Sequence, residues 1–551
     1  MFQNVRLTLA WLHTWFGLVF GFVLMAVFFF GSLSVFDREI DRWARPETRI
    51  APQPMPSFDT LLAPLLAGIE PDPEYLEEAR RRVTQPLPDR LKVIEWGAYQ
   101  THRDPVLRLY ARFEVPHSTE EDDSVSGVVT IDPRDGRILS DERLNIGSEF
   151  FYPMHYSLHL DWMRLGIWIV GFAAMTMLVA LVSGVVMHRK IFREFFTFRP
   201  RKALQRSTLA LHNMTGVVAL PFHFLWSLSG LIIFAGIYFP VGDTMLERAA
   251  EAQDRVYWQE TGLDEFPSGV PGGIGAVDAM VAAAQARWAE RGAPGEVGFL
   301  TVTHVGQSNA YVSVYRDSAD RVATGEGLHF AAATGRLIHE DPPYSAIATV
   351  EGFLTGMHLQ QFEHWTLRWL IFVAGLVSCV CIATGFVFFV EKRKHRHAKL
   401  GATGARWADT LAIATVTGMV VATLAILVAN RLLPEALPGR DAWEEGAFWA
   451  AWAFALAHAA ARSAAVTRAR TSPAWAEQCW AIAVLAALAV GLNAATTGGH
   501  LLRTIPRGYW PVAGMDLVLL ATAIVAVAIA RRLQRVGSIG NAAFDARADH
   551  A

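Results

Sequence analysis

His212 and His223 stand eleven residues apart in a stretch that is otherwise largely apolar. At about 100° per residue, eleven residues come close to three full helical turns. Both imidazoles would then share one helix face, about 16 Å apart at about 1.5 Å per residue. An ionisable side chain inside a membrane span is costly and is usually functional. Neutral imidazole is a metal ligand and an axial ligand of haem iron, so one helix with this spacing would hold a haem near each membrane face. His13 recurs in the same setting: Leu12-His13 with Gly17 matches Leu211-His212 with Gly216. The matching depth points to His13 and His212 sharing one haem from opposite repeats. His223 is expected to pair with His159 or His358.

Other candidates read more blandly. His155, His364 and His188 lie at span edges, where a histidine is often only an interfacial polar group. His304, His329, His395 and His397 read as solvated, and His458 as packed or hydrogen-bonded. Gly17 and Gly21 continue the stripe of His13, which suits the close approach of a flat macrocycle or of another helix. Cys379, Cys381 and Cys479 are the three cysteines, all in apolar runs. They form no metal-type Cys-x-x-Cys pair and no disulfide framework; small apolar packing is the reading for thiols in a span.

Elements of membrane length must position these histidines. The chain is 52% hydrophobic and only 18% charged, where soluble chains carry about 25% charged residues. Eight apolar stretches are long enough to be spans: roughly 9–36, 163–187, 209–238, 366–390, 408–430, 446–463, 474–492 and 512–530. Basic residues gather on one side of this arrangement. Arg189, Lys190, Arg193, Arg199, Arg201, Lys202 and Arg206 precede span three, and Lys392, Arg393, Lys394, Arg396 and Lys399 follow span four. The positive-inside rule then places both termini in the cytoplasm. The fold class expected is a mainly α polytopic membrane protein with about eight transmembrane helices.

Two long polar segments, 37–162 and 239–365, fall on the other side and are too long for simple loops. Each reads as a helix followed by strands: 73–80 helical with 106–113 and 128–132 extended, and 276–287 helical with 310–315 and 334–338 extended. They are expected to be two small α+β domains. The organisation is therefore span one (1–36), first outer domain (37–162), spans two and three (163–238), second outer domain (239–365), span four with its basic loop (366–400), and a four-helix module (401–551). Met154-His155 and Met357-His358 precede the returning spans, and Ser183-Gly184 and Thr384-Gly385 close them. A duplication of this kind makes a pseudo-symmetric site between halves plausible.

These residues carry a family resemblance. Leu12-His13, Leu158-His159, Leu211-His212-Asn213, Pro221-Phe222-His223 and Met357-His358 with Arg368-Trp369 resemble the PepSY-associated transmembrane proteins over residues 1–400. The two outer segments are similar to that family's PepSY-type domains. The His-Asn and Pro-Phe-His elements look most like its siderophore-reductase branch. The resemblance implies two b-type haems, ligands among His13, His159, His212, His223 and His358, a bacterial inner-membrane location, and reduction of ferric siderophore iron in the periplasm. Electrons would cross from a cytoplasmic to an outer haem. Fe(II) is a poorer partner than Fe(III) for hard oxygen ligands, so reduction would release the iron. No dinucleotide fingerprint is found on the cytoplasmic side, so a quinol or a separate reductase is the expected donor. A lipid bilayer is the expected surrounding, and no nucleic-acid partner is expected.

Two other classes compete. An anchored regulatory or accessory protein would use the PepSY-like domains to bind or restrain a partner and would need no cofactor. A transporter would favour buried mid-membrane carboxylates, and the first four spans have few.

Overall fold

A computed structural model of the chain describes residues 2–118, 123–140, 142–187, 204–239, 260–317, 319–320, 322, 327–342, 346–360, 362–400, 402–463 and 472–548. The chain divides into two compact units. The helical unit comprises Met1–Pro46, Glu142–Phe234 and Trp365–Ala551; the sheet unit comprises Glu47–Asp141 and Ala235–His364.

The helical unit begins with α1 (Phe2–Val19) and α2 (Gly21–Ser34), then the short α3 (Asp37–Ala44) and α4 (Tyr152–Tyr156). It continues through α5 (Leu165–Met187), α6 (Leu204–Val218), α7 (Leu220–Ile233) and the long α8 (Trp365–Lys399). The C-terminal part holds α9 (Gly404–Ile413), α10 (Met419–Leu432), α11 (Arg440–Ser463), α12 (Ala474–Thr497) and α13 (Trp510–Ala548).

Among the described residues, five helices are long and apolar enough to cross a membrane, or seven if each of two bent pairs counts as one span. The expectation of about eight spans is met in part, and the structure differs on two points. First, α1/α2 bends by 59° and α6/α7 by 62°. The second bend falls at Pro221, in the first turn of α7, where the ring removes a backbone donor and obstructs continuous helix. Second, α11 falls short of the others in apolar length. His458 and Arg462 interrupt its apolar face because they reach Glu477 on α12, with His458 Nε2 3.0 Å and Arg462 Nε 2.9 Å from the carboxylate.

Several buried charges in this unit are held by ion pairs, hydrogen bonds or aromatic faces. The Arg368 guanidinium, 1% exposed, donates to Glu39 at 2.9 Å and to the Val35 carbonyl at 2.6 Å, and lies 4.7 Å over the Phe36 ring. Trp43 on α3 ties the first helices to the C-terminal ones. Its indole N–H donates to Asp516 at 2.8 Å, Arg431 stacks 4.4 Å over its ring, and the Arg431 guanidinium donates to its carbonyl oxygen.

The sheet unit is one antiparallel sheet, not two domains. Its order is β3-β2-β1-β4-β5-β6-β7. β1 (Val93–Thr101), β2 (Asp104–Glu114) and β3 (Ser124–Ile131) come from the first segment. β4 (Val297–Thr303), β5 (Tyr311–Arg316), β6 (Gly327–Ala331) and β7 (Leu337–Glu340) come from the second. The join is β1 against β4, with Ala98 opposite Leu300 and Trp96 opposite Val302. Helices Pro73–Arg82 and Val277–Glu290 appear where expected, and a single core of residues such as Leu66, Leu109, Met280, Leu300 and Val312 serves both segments.

Two histidines of the sheet unit read as solvated are instead buried. His304 packs with its Nε2 2.9 Å from the Asp264 carbonyl. His329 on β6 sits between the strands on either side, its Nδ1 2.7 Å from Ser313 Oγ and its Nε2 3.1 Å from Asp341. His397 accepts a hydrogen bond from the Ala405 N–H at 3.0 Å. The His395 side chain and the whole of His188 lie outside the described residues.

Candidate functional site

The first halves of the two bent pairs bring the repeated histidines together. His13 on α1 and His212 on α6 face each other with ring centres 6.1 Å apart and planes at 79°. Each is held by the helix that returns in its own repeat. His13 Nδ1 lies 3.0 Å from the Ala180 carbonyl on α5, and His212 Nδ1 lies 2.8 Å from the Cys381 carbonyl on α8.

Each of those carbonyls stands four residues before a glycine. A Cβ at Gly184 would lie 3.4 Å from His13 Cε1, and one at Gly385 would lie 3.4 Å from His212 Cε1. The two arrangements are one motif used twice: histidine, facing glycine, and a carbonyl one turn earlier. A carbonyl can only accept, so Nδ1 of each ring carries the proton and Nε2 keeps its lone pair.

Both rings line a cavity of about 410 Å³. His223 lines it too, in the first turn of α7, beyond the bend at Pro221. Its side chain is 1% exposed, and among the described residues neither ring nitrogen has a hydrogen-bond partner. Phe28 on α2 packs edge-on against it at 5.3 Å. Leaving two imidazole nitrogens unbonded in a buried site costs free energy of the order of 1–3 kcal/mol per group, and such a group needs an explanation. Of the expected glycine stripe, Gly17, Gly21 and Gly216 line the cavity. A Cβ at Gly17 would meet nothing within 4 Å, whereas one at Gly21 would run into the Phe386 ring.

The remaining candidates are placed differently. His159 stacks on Phe150 at 4.7 Å, with its Nε2 2.9 Å from the Phe150 carbonyl. His155, ranked lower from sequence, repeats the histidine–glycine–carbonyl motif: its Nδ1 lies 2.8 Å from the Val27 carbonyl on α2, and Gly31, one turn on, leaves room for the ring. His358 lies on helix Ala346–Leu359 of the sheet unit, and His364 is exposed in the same unit.

The structure thus adds three features to the sequence reading: the carbonyls of Ala180 and Cys381, the glycines that face the rings, and the Val27 carbonyl that fixes the ring of His155. The glycines were readable, because Gly184 and Gly385 follow their histidines by nearly equal spacings, 171 and 173 residues. Among the described residues no group of three or more His, Cys, Asp or Glu side chains is arranged to hold a bare metal ion. The site therefore offers paired imidazoles, not a many-ligand metal cage.

The profile of the PepSY-associated TM region matches residues 10–392. The chain belongs to this family. The match takes in both halves of the repeat, and residues 393–551 lie beyond it. An uncharacterized protein of Pseudomonas aeruginosa is similar to the chain as well, 25% identical over 369 residues that cover 64% of this chain and 86% of that protein.

Proposed function

We propose that the helical unit of this PepSY-associated transmembrane protein is a haem-binding electron-transfer core of the bacterial inner membrane, and that it reduces ferric siderophore iron on the periplasmic side. The observation that carries this reading is the His13–His212 pair. Two imidazoles that would hold one metal ion between them at about 2 Å each would have ring centres about 6 Å apart. The observed separation is 6.1 Å.

The residues fit a haem on further counts. The Nδ1 hydrogen bonds to Ala180 and Cys381 fix the tautomer that presents Nε2 to iron and hold each ring in place, as partners of metal-bound histidines do. The cavity volume lies within the range of about 300–1,000 Å³ typical of cofactor sites. His13 and His212 would therefore hold one haem. His223, with both nitrogens unbonded, would serve a second, and His155 is the candidate partner whose ring is already fixed by a carbonyl. A bound haem supplies one-electron redox chemistry. The protein's own part is to hold the rings, exclude water with apolar helix faces, and set the spacing between the two ligand levels. The ferric chelate is the substrate, and a quinol or a separate reductase is the donor. Both termini lie in the cytoplasm in this reading, and the sheet unit lies in the periplasm.

The test is an optical spectrum of the detergent-purified full chain, oxidised and then dithionite-reduced, with haem quantified per chain. Two low-spin b-type haems, lost stepwise in His212→Ala and His223→Ala, are expected. Protein made with ample haem supply and containing none would overturn the reading and leave an anchored regulatory role.

A further inference from the structure

Among the described residues, the cavity that holds His13 and His212 is lined by cations and by no carboxylate. Arg6 near the start of α1, and Lys392 and Arg393 near the end of α8, stand at one end of it. No aspartate or glutamate among the described residues lines the cavity. Glu391, the nearest acidic residue in sequence, is engaged with Lys394 at 2.7 Å. None of the three cations has an ion-pair partner among the described residues.

Two of them are held over aromatic faces of the cavity wall. The Arg393 guanidinium lies 3.9 Å over Phe389, and the Lys392 ammonium lies 5.6 Å over Phe388. The positive-inside rule accounts for basic residues at a span end. It does not account for their lining an otherwise apolar cavity without a counter-charge. Unpaired charge at the edge of a low-dielectric space favours an anion there. An arginine fork and an ammonium suit carboxylate oxygens.

We infer that Arg6, Lys392 and Arg393 form a carboxylate-binding rim that seats the two propionates of the haem ligated by His13 and His212. The inference rests on the haem reading above and adds the orientation of the ring: its propionate edge faces the end of the bundle where α1 begins and α8 ends. The three cations neutralise two carboxylates and leave one positive charge in excess, which favours the anionic edge over a neutral one.

The test uses the full chain produced under haem limitation, purified in detergent, and titrated with hemin and with hemin dimethyl ester. The wild type is expected to bind the free acid at least tenfold more tightly than the ester. Arg6→Gln/Lys392→Gln/Arg393→Gln is expected to lose that preference while keeping the bis-imidazole spectrum. Arg6→Lys/Lys392→Arg/Arg393→Lys is expected to retain it. The single variant Lys392→Gln, with a partial loss, stands in if the triple variant does not fold. Equal preference in wild type and triple variant overturns the inference. So does loss of co-purified anionic phospholipid in the triple variant with the preference intact, which would assign the rim to a lipid headgroup. A wild type that takes up neither hemin nor its ester refutes the haem reading itself, a separate outcome.

Discussion

Gly31→Ala gives the sharpest test of the histidine–glycine–carbonyl motif. A Cβ at Gly31 would lie 2.6 Å from His155 Nδ1 and 2.7 Å from Cε1. Unstrained heavy-atom contacts are about 3.5–4.0 Å, so the ring must retreat by about 1 Å. That stretches the 2.8 Å bond from Nδ1 to the Val27 carbonyl beyond hydrogen-bond range. Losing it and leaving a buried polar group costs about 1–3 kcal/mol. Alanine in a helix interior returns only about 0.5–1 kcal/mol relative to glycine, so the variant is net destabilised. Gly184→Ala and Gly385→Ala make the contrast. Their Cβ atoms would sit 3.4 Å from His13 and His212, an ordinary contact, so both should be neutral or slightly stabilising.

The assay is thermal unfolding in detergent alongside haem content and redox titration of each spectral component. Loss of the partner to a ligating histidine typically costs about 10–100-fold in affinity. On the proposed haem reading, Gly31→Ala should therefore weaken one haem component and leave the other unchanged. If all three glycine variants behave alike, or if Gly31→Ala is the silent one, the motif does not do what the geometry says.

Other consequences are measurable with the same preparation. Cys381→Ala should leave the spectrum of the His13–His212 component unchanged, because the stronger Nδ1 contact is the 2.8 Å one to the backbone carbonyl and the thiol sits at 3.6 Å; loss of that component would make the sulfur the essential partner. Glu39→Gln should cost about 3–5 kcal/mol by removing the Glu39 counter-charge from the buried Arg368 guanidinium, and pairing it with Arg368→Met should recover much of the loss in a double-mutant cycle of melting temperatures. The sheet unit should be insensitive to neutral pH and sensitive to acid. Burial pushes the Asp341 carboxyl up, but its bonds to His329 and the Gly327 N–H outweigh this and hold it below its ordinary value. Burial likewise pushes Asp317 up and His102 outweighs it, while the Arg134 hydrogen bond holds Asp132 down. A lowered folded pKa contributes stability above the unfolded value, about 3.9, that is lost as pH falls through the folded one. Strand protection factors, with intrinsic exchange divided out, should thus change little between about pH 5 and 8 and fall below about pH 4; a transition near pH 6.5 would assign the dependence to the histidines instead.

The ligand candidates were legible because imidazole inside an apolar run has few bland explanations, and because His13 and His212 repeat the same local residues. What fixes those rings was not legible. The acceptors are the backbone carbonyls of Ala180 and Cys381, and a carbonyl has no signature of its own in sequence. The bends at Phe20 and Pro221 break two of the expected spans, 9–36 and 209–238, into pairs of helices, and the proline alone gave notice of one of them. In the sheet unit, β2, β3 and β5 show in their β-branched and aromatic content. β1, β4 and β6 were missed; in β1, Glu95, Gly97 and Gln100 break the apolar pattern. Gly97 reads as a breaker, yet the strand needs it there, because a Cβ would collide with the Tyr110 ring lying across from β2. His329 looked solvated because its partners, Ser313 and Asp341, come from other parts of the sheet segment and converge only when the strands pair.

The β1–β4 join has a consequence for biogenesis. β1 ends at Thr101 and its partner begins at Val297, so a ribosome must add nearly two hundred residues, including α5 and the α6/α7 pair, before the sheet can close. At about 5–20 residues per second this takes about 10–40 s. Throughout that interval the β1 edge, with Ala98 and Trp96 at its centre, presents unpaired backbone groups to any strand it meets. A chain stalled or truncated before Val297 would therefore not release a tidy half-protein. It would release a three-stranded fragment with an adhesive edge, and the cell would need a chaperone or a protease waiting on the side of the membrane where that edge emerges.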